Sequence, residues 1–203
     1  MSAPPGTVPG WEVHADGPPP ADPLALARAW LPADDDPERP RVTLATIGAD
    51  GYPAARTVLL SAFDGSGFAF HTHRDSRKVA ELAAEPRAAL VVLWPDLGRQ
   101  LVVRGDVVDD GAEQAAAAWA ARSDYLRRLA ELNTAELAGL PLAERVARWG
   151  ACGPAGDGPA GSWVGYRLRP REMTFWAASA ETASRRLQYV RADGRWSCRP
   201  LPG

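Results

Sequence analysis

Apolar and polar residues alternate along most of the chain between residues 41 and 108 and again after residue 163. A period of two is typical of strands that bury one face, as in the segment FAFHTH at 68–73. Turn sequences such as Asp50-Gly51 and Asp193-Gly194 separate these segments and favour antiparallel hairpins. The predicted strands cover residues 41–47, 54–63, 68–73, 88–94, 99–108, 163–168, 173–177, 186–191 and 195–199.

Helical spacing replaces the alternation in three places. Residues 22–31 and 75–85 each carry one apolar face, and Pro86 ends the second helix. The segment 111–149 is rich in Ala, Leu, Glu and Arg and predicts two helices. Strands joined by tight turns, with the helices set apart from them, indicate an antiparallel β-barrel in an α+β domain. The chain lacks the glycine-rich motifs of dinucleotide-binding and P-loop sites.

The composition narrows the class of protein. With 203 residues the chain is long enough for one domain with a substantial core. We expect a disordered Pro/Gly-rich tail at 1–20, which lacks the features of a signal peptide, and a single domain at 21–203. The net charge of −2 gives no reason to expect nucleic acid or a membrane as partner. Two cysteines favour a reducing compartment, and we expect a cytoplasmic protein.

The segment from His71 to Lys78 is the most informative for function. It lies at a predicted strand-to-helix junction, where the first helical turn presents free backbone N–H groups and the positive end of the helix dipole. Ser76 adds a hydroxyl group, and Arg77 and Lys78 add two cations. Phosphate sites are built in this way, although solvated surface charges explain the same residues when the segment is taken alone.

Other candidates are weaker when judged alone. Arg56 begins a predicted strand, where an arginine is usually a surface residue. Gln100 could donate to and accept from a heterocycle, whereas Trp176 is more typical of a core or an interface. The three histidines and two cysteines lack the spacing of a metal site, so we expect no metal.

Several segments together resemble the pyridoxine/pyridoxamine 5′-phosphate oxidase family, and most closely its phenazine-biosynthesis branch. The similarity runs from about Asp22 to the C-terminus and is weak at 111–149. It implies an FMN-binding split β-barrel with peripheral helices, forming a homodimer that holds FMN between its subunits. The matching segments are ADPLALARAWL, RVTLATIGADGYPAARTVLLS, FAFHTHRDSRKVAEL, RQLVVRGDV, SWVGYRLRPREMTFW and RRLQYVRADGRWSCRPLPG.

The resemblance also implies roles for individual residues, some of them acting from the partner subunit. Arg56, Arg77 and Lys78 would bind the FMN phosphate. The residues implied in cofactor binding are Arg56, Val58, Leu59, Leu60, Ser61, His71, Thr72, Ser76, Arg77, Lys78, Gln100, Trp176 and Arg186. The expected substrate contacts are Ser61, Arg122, Thr182 and Ser184, and the expected catalytic residues are Thr182, Ser184 and Arg186.

The chain departs from the vitamin B6 oxidases at their substrate site. Ser61 replaces a lysine, as it does in the phenazine branch, and Thr182-Ala183-Ser184 replaces an Arg-x-His pair. Ala118 and Leu126 replace a Tyr and a Ser that bind the substrate phosphate. Each lost charge-assisted hydrogen bond is worth roughly 1.5–3 kcal/mol, so we expect a substrate other than a phosphorylated vitamin B6 form.

The leading hypothesis is an FMN-dependent oxidase of specialised metabolism that dehydrogenates a reduced, phenazine-like N-heterocycle or an amine, with O₂ as acceptor. One alternative is a pyridoxine/pyridoxamine 5′-phosphate oxidase with a modified substrate site, in which Arg122, Arg127 and Arg128 supply cations. The other is a non-catalytic flavin-binding protein, which the loss of the Arg-x-His pair motivates.

Overall fold

The computed structural model describes residues 12–32, 36, 40–153, 161 and 163–203. In this part of the chain, nine strands form one antiparallel sheet with six α-helices outside it. The strands are β1 (Arg41–Ile47), β2 (Pro53–Leu59), β3 (Ala62–Phe63), β4 (Phe68–His73), β5 (Arg87–Trp94), β6 (Arg99–Asp109), β7 (Trp163–Ala177), β8 (Arg185–Ala192) and β9 (Arg195–Pro202). The helices are α1 (Pro23–Trp30), α2 (Arg77–Ala84), α3 (Ala112–Ala120), α4 (Asp124–Leu132), α5 (Ala135–Gly139) and α6 (Leu142–Ala151).

The sheet curls into a split barrel. Its strand order is β2-β1-β5-β6-β7-β4-β3, and β2 and β4 come into contact across the curl. One edge of β7 pairs with β6 along its length, while the other pairs with β4 in its first half and with β8 in its second. Alternate side chains such as Leu44, Leu101 and Phe175 fill the interior and are fully buried. This architecture confirms the predicted antiparallel split barrel.

Strand β7 is longer than the sequence pattern predicted. The prediction placed two strands at 163–168 and 173–177, whereas β7 runs unbroken through Pro170, which lacks a backbone N–H to donate to a ladder. In the structure the pairing with β6 shifts register between Arg104 and Gly105, opposite this proline. A Cβ on Gly105 would overlap the carbonyl oxygen of Arg169, so the glycine allows the two backbones to approach at the bulge.

The segment 111–149 contains four helices where two were predicted. Ser123 and Thr134 act as N-caps, and their hydroxyl groups accept hydrogen bonds from backbone N–H groups at the starts of α4 and α5. Pro141 precedes α6. These residues favour new helix starts over continuation, which a composition rich in Ala and Leu did not reveal.

The segment 12–20 packs on the barrel, which differs from the disorder expected for residues 1–20; residues 1–11 of that prediction lie outside the described chain. Val13 is buried in the core, and the ring Nε2 of His14 lies 3.1 Å from the carbonyl oxygen of Ala177. The Tyr189 hydroxyl donates to the Pro20 carbonyl at 2.9 Å. Burial of an apolar side chain and satisfied carbonyls hold the segment in place.

None of the helices in the described ranges is both long and apolar enough to cross a membrane.

Candidate functional site

A cavity of about 840 Å³ opens between the end of the barrel and the helices that cover it. Its floor comes from β2, the end of β4 and the first turn of α2, and its roof comes from α4 and α5. Trp163, at the start of β7, closes the inner end. A smaller recess beside it is bordered by β2 and α2.

Two arginines converge on one buried carboxylate at the recess. Glu81 is 4% exposed and accepts from Arg56 Nη2 at 2.5 Å and from Arg77 Nε at 2.7 Å. The Thr46 hydroxyl donates to the same carboxylate at 2.6 Å. Burial alone would raise the pKa of Glu81, but these hydrogen bonds outweigh it and hold the pKa below its usual value. Glu81 is therefore ionised and fixes the positions of both guanidinium groups.

Lys78 adds a third cation in the first turn of α2. Its ammonium group donates to Thr72 Oγ1 at 2.9 Å and to Ser76 Oγ at 2.5 Å. Burial and the charge of Arg56 lower the pKa of Lys78, and Glu81 opposes them in part. Three cations against one carboxylate leave two positive charges beside the free N–H groups of the helix start. This arrangement suits a phosphate dianion.

His71 occupies the inner wall of the cavity. Its side chain is 7% exposed, and neither ring nitrogen has a hydrogen-bond partner among the described residues. Burial, with the charges of Arg122 and Arg167, lowers the pKa of His71 to about 4, so the ring is neutral at pH 7. The ring stacks on Trp163 with centroids 5.5 Å apart. A Cβ on Gly165 would lie 2.6 Å from His71 Nε2, so glycine makes room for the imidazole.

Arg122 lies over the same tryptophan. Its guanidinium carbon is 4.3 Å from the centroid of the Trp163 ring, and burial lowers the pKa of Arg122 to about 10. Within the described ranges, this guanidinium forms no ion pair. The nearby roof is mainly apolar, from Leu126, Leu129 and Ala130.

The structure brings a first group of the predicted site residues together. Val58, Leu59, His71, Thr72, Ser76, Lys78 and Arg122 line the cavity. Arg56 and Arg77 border the adjoining recess. Leu60 is buried in the core, and the buried Ser61 hydroxyl has no partner in the part of the chain described.

A second group lies elsewhere on the same subunit. Gln100, Trp176 and Arg186 are direct neighbours across β6, β7 and β8, so their side chains project from one face of the sheet. The core residue Phe175 alternates with them, so this face points away from the barrel interior. Thr182 and Ser184 lie in the connection from β7 to β8, outside the residues that line the cavity.

The sequence analysis missed three residues of the site. Glu81 stands four residues after Arg77, a spacing that signals a surface ion pair on a helix, but its contact with Arg56 on β2 carries no sequence signal. Trp163 and Gly165 match no chemical motif, and only their alternation along β7 puts them on one face.

The described residues include no group of three or more His, Cys, Asp or Glu side chains placed to bind a metal.

The chain matches two family models. One, described as pyridoxamine 5′-phosphate oxidase, matches residues 27–140, and the other, described as the pyridoxine 5′-phosphate oxidase C-terminal dimerisation region, matches residues 163–201. Curated relatives include the pyridoxine/pyridoxamine 5′-phosphate oxidase of Cupriavidus pinatubonensis, 38% identical over 86% of each chain. The enzyme of the same name from Caulobacter vibrioides is 36% identical and covers 94% of this chain and 90% of its own.

A solved structure is similar along nearly the whole chain. It is PhzG from Burkholderia lata, in complex with tetrahydrophenazine-1-carboxylic acid, with 29% identity, a TM-score of 0.73 and coverage of 91% of this chain and 94% of that one. A pyridoxamine 5′-phosphate oxidase-related, FMN-binding protein from Nostoc punctiforme has the same fold, with 22% identity, a TM-score of 0.68 and coverage of 80% and 88%.

Proposed function

The chain belongs to the pyridoxamine 5′-phosphate oxidase family and is an FMN-dependent oxidase, and we propose that it dehydrogenates a reduced, phenazine-like N-heterocycle. The similarity to these proteins confirms the family, the enzyme class and the FMN cofactor that were predicted from the sequence. The substrate, its pathway in specialised metabolism and the roles of single residues are proposals.

The residues present fit FMN. Arg56, Arg77 and Lys78 carry two positive charges in excess of Glu81, and a phosphate dianion would neutralise them. The Ser61 hydroxyl, which has no hydrogen-bond partner among the described residues, lies between β2 and β3, beside the Val58–Leu60 backbone that the resemblance places at the flavin edge. These groups would hold the cofactor, which supplies hydride acceptance and electron transfer to O₂ when bound.

The second half of the site comes from the partner subunit. Gln100, Trp176 and Arg186 face away from their own barrel, and Trp176 and Arg186 lie within the dimerisation region. A homodimer that apposes this face to the neighbour's cavity would complete two FMN sites. Thr182 and Ser184 would then reach the substrate from across the interface.

Mixed dimers test this arrangement. We expect Lys78→Met and Arg186→Met each to weaken FMN binding, because each removes a cation from one half of the site. After the two variants are unfolded and refolded together, each heterodimer should contain one intact site, and tight FMN binding should return at about one site in four. If mixing restores no tight binding, both residues serve the same half-site and the proposed arrangement is wrong.

The proposed substrate class rests on the charge at the inner end of the cavity. Arg122 is the cation at that end, and by the resemblance it is the one substrate-phosphate position of the vitamin B6 oxidases that keeps its charge. The other such positions are Ala118, Leu126 and Ser61 here. A phosphate dianion would be poorly compensated in this environment. The similarity to a protein that binds tetrahydrophenazine-1-carboxylic acid supports a flat, reduced heterocycle.

The chain's own residues would orient this substrate and exclude water. Trp163 offers an aromatic face that is fixed by a hydrogen bond from its Nε1 to the Ala115 carbonyl at 3.3 Å. Leu126 and Leu129 cover the site with apolar surface. Thr182 and Ser184 supply hydroxyl groups rather than a strong acid or base, which is sufficient for an electron-rich dihydroaromatic substrate.

Steady-state oxygen consumption tests the substrate class. We expect reduced phenazine carboxylates to be oxidised with production of one H₂O₂ per O₂, with a kcat/KM at least roughly a hundredfold above that for pyridoxine 5′-phosphate. The second candidate, a vitamin B6 oxidase with a modified site, is supported by the names of relatives at 36–38% identity. Efficient turnover of pyridoxine 5′-phosphate, with no oxidation of the heterocycle, would establish that candidate instead.

A further inference from the structure

We propose that Glu81 is a positioning residue for the phosphate group of FMN, and that it acts by holding the guanidinium groups of Arg56 and Arg77 at the recess. Glu81 is not among the residues that border the cavity or the recess, and its charge opposes that of the phosphate. The inference rests on the proposed function, because it requires that FMN binds with its phosphate at the α2 end of the cavity.

The two oxygens of the Glu81 carboxylate serve two different arginines. Oε2 accepts from Arg56 Nη2 at 2.5 Å and from the Thr46 hydroxyl at 2.6 Å, while Oε1 accepts from Arg77 Nε at 2.7 Å. The side chain of Glu81 is 3% exposed, so these contacts are shielded from water. One buried carboxylate therefore joins an arginine of β2 to an arginine of α2.

These contacts leave N–H groups available for a ligand. Among the described residues, Arg77 donates to Glu81 through Nε, and its side chain is 74% exposed, so its two terminal amino groups stay accessible. Arg56 is held more firmly, because Thr46 Oγ1 also accepts from its Nη1 at 2.5 Å. Ordering a flexible side chain during binding weakens affinity, and Glu81 orders both arginines before the ligand arrives.

The charge of Glu81 and its positioning role have opposite effects on affinity. By charge alone, a carboxylate beside a phosphate site weakens binding, so its loss would strengthen the affinity for FMN. However, burial and the charge of Arg56 lower the pKa of Lys78, and Glu81 opposes them. Without Glu81 the three cations would repel one another, and the two guanidinium groups would lose their common anchor. We expect the loss of order to exceed the gain in charge.

The variant Glu81→Gln tests this sign, because an amide offers one oxygen and one NH₂ group. It cannot accept from the two arginines through separate oxygens, so one guanidinium group is released. In a fluorescence titration, the FMN dissociation constant should rise roughly tenfold or more, whereas that of riboflavin, which lacks the phosphate, should change less than about twofold. Tighter FMN binding, or an equal loss of affinity for both flavins, would overturn the inference.

A double-mutant cycle shows whether Glu81 acts through Arg77. Once Arg77→Met has removed one of the two guanidinium groups, Glu81→Gln should weaken FMN binding by a smaller factor than it does in the unsubstituted protein, because less remains to be positioned. Equal factors in the two backgrounds would refute the role of Glu81 through Arg77.

Asp110→Asn is the matched control. Asp110 is also a buried carboxylate, since its side chain is 4% exposed and accepts from Arg167 Nε at 2.5 Å, but it lies outside the residues that line the recess. This variant should keep the ratio of the riboflavin and FMN dissociation constants. A fall of that ratio equal to the fall in Glu81→Gln would show a general effect of destabilisation and refute the positioning role.

Thr46→Val is a milder variant that serves if Glu81→Gln does not fold. It removes the hydrogen bond from the hydroxyl group to Glu81 and the one that the hydroxyl oxygen accepts from Arg56. We expect it to weaken FMN binding several-fold relative to riboflavin binding. An unchanged ratio of the two dissociation constants would then overturn the inference.

The proposed function can fail separately. If Glu81→Gln loses its preference for FMN but the unsubstituted protein oxidises no reduced heterocycle, the positioning role stands and the proposed reaction falls. If heterocycles are oxidised and Glu81→Gln binds FMN as tightly as the unsubstituted protein, the reaction stands and the positioning role falls.

Discussion

Burial of His71 should make the stability of the fold depend on pH between about 4 and 6.5. In the folded protein the pKa of His71 falls from 6.5 to about 4, because the side chain is buried beside Arg122 and Arg167. Between these pH values the unfolded chain binds a proton that the folded chain excludes. The contribution of neutral His71 to the unfolding free energy is therefore fully present above about pH 6.5 and is lost as the pH falls towards about 4. A difference of this size corresponds to about 3 kcal/mol over the whole interval.

Urea unfolding of the FMN-free protein at one protein concentration measures this effect. Between about pH 7.5 and about pH 4.5, His71→Phe should lose about 2–3 kcal/mol less unfolding free energy than the unsubstituted protein. His73→Phe controls for the loss of a histidine from the same strand, since this residue is more exposed and lies 3.8 Å from Asp75. Identical pH dependence in the unsubstituted protein and His71→Phe would refute the argument that His71 is held neutral.

Three further predictions concern the two ends of the cavity. Glu81→Gln should lower the unfolding free energy by about 2–4 kcal/mol in urea at neutral pH, because Arg56 loses its buried counter-charge. The loss should shrink as the pH falls below about 4.5, because the unfolded chain then binds a proton at Glu81 that the folded chain excludes until its own lower pKa is reached; a constant loss down to about pH 3 would contradict the depressed pKa. Lys78→Met should raise the FMN dissociation constant roughly tenfold or more in a fluorescence titration, and an unchanged constant would exclude Lys78 from the phosphate site. Gly165→Ala should cost about 1–3 kcal/mol, and a double-mutant cycle with His71→Ala should recover most of it; additive losses would show that the two residues do not collide.

The sequence was informative where local patterns matched the tertiary structure. Alternation located β1 and β4 at 41–47 and 68–73, the bounds found in the structure. It failed at Pro170, because the glycine that accommodates the proline lies 65 residues earlier in a different strand. The register between β6 and β7 brings these two residues together, and the pattern of adjacent residues in the sequence does not reveal that register.

The site was predictable to a similar degree. Arg77 and Lys78 could be recognised, because they stand beside one another at a helix start. The recess depends equally on Glu81, whose second arginine comes from β2, 25 residues earlier in the chain. The neutral state of His71 could not be predicted, because it is set by the burial that the roof helices and Trp163 provide.

The packing of segment 12–20 has a consequence for biosynthesis. Its hydrogen bonds to Ala177, Arg185 and Tyr189 span 163 to 170 residues of sequence. A ribosome must therefore deliver β7 and β8 before the docking surface for Val13 exists, and segment 12–20 is synthesised well before them. Until β8 is synthesised, the nascent chain carries the undocked apolar side chain of Val13, and this contact of high sequence separation forms late in monomer folding.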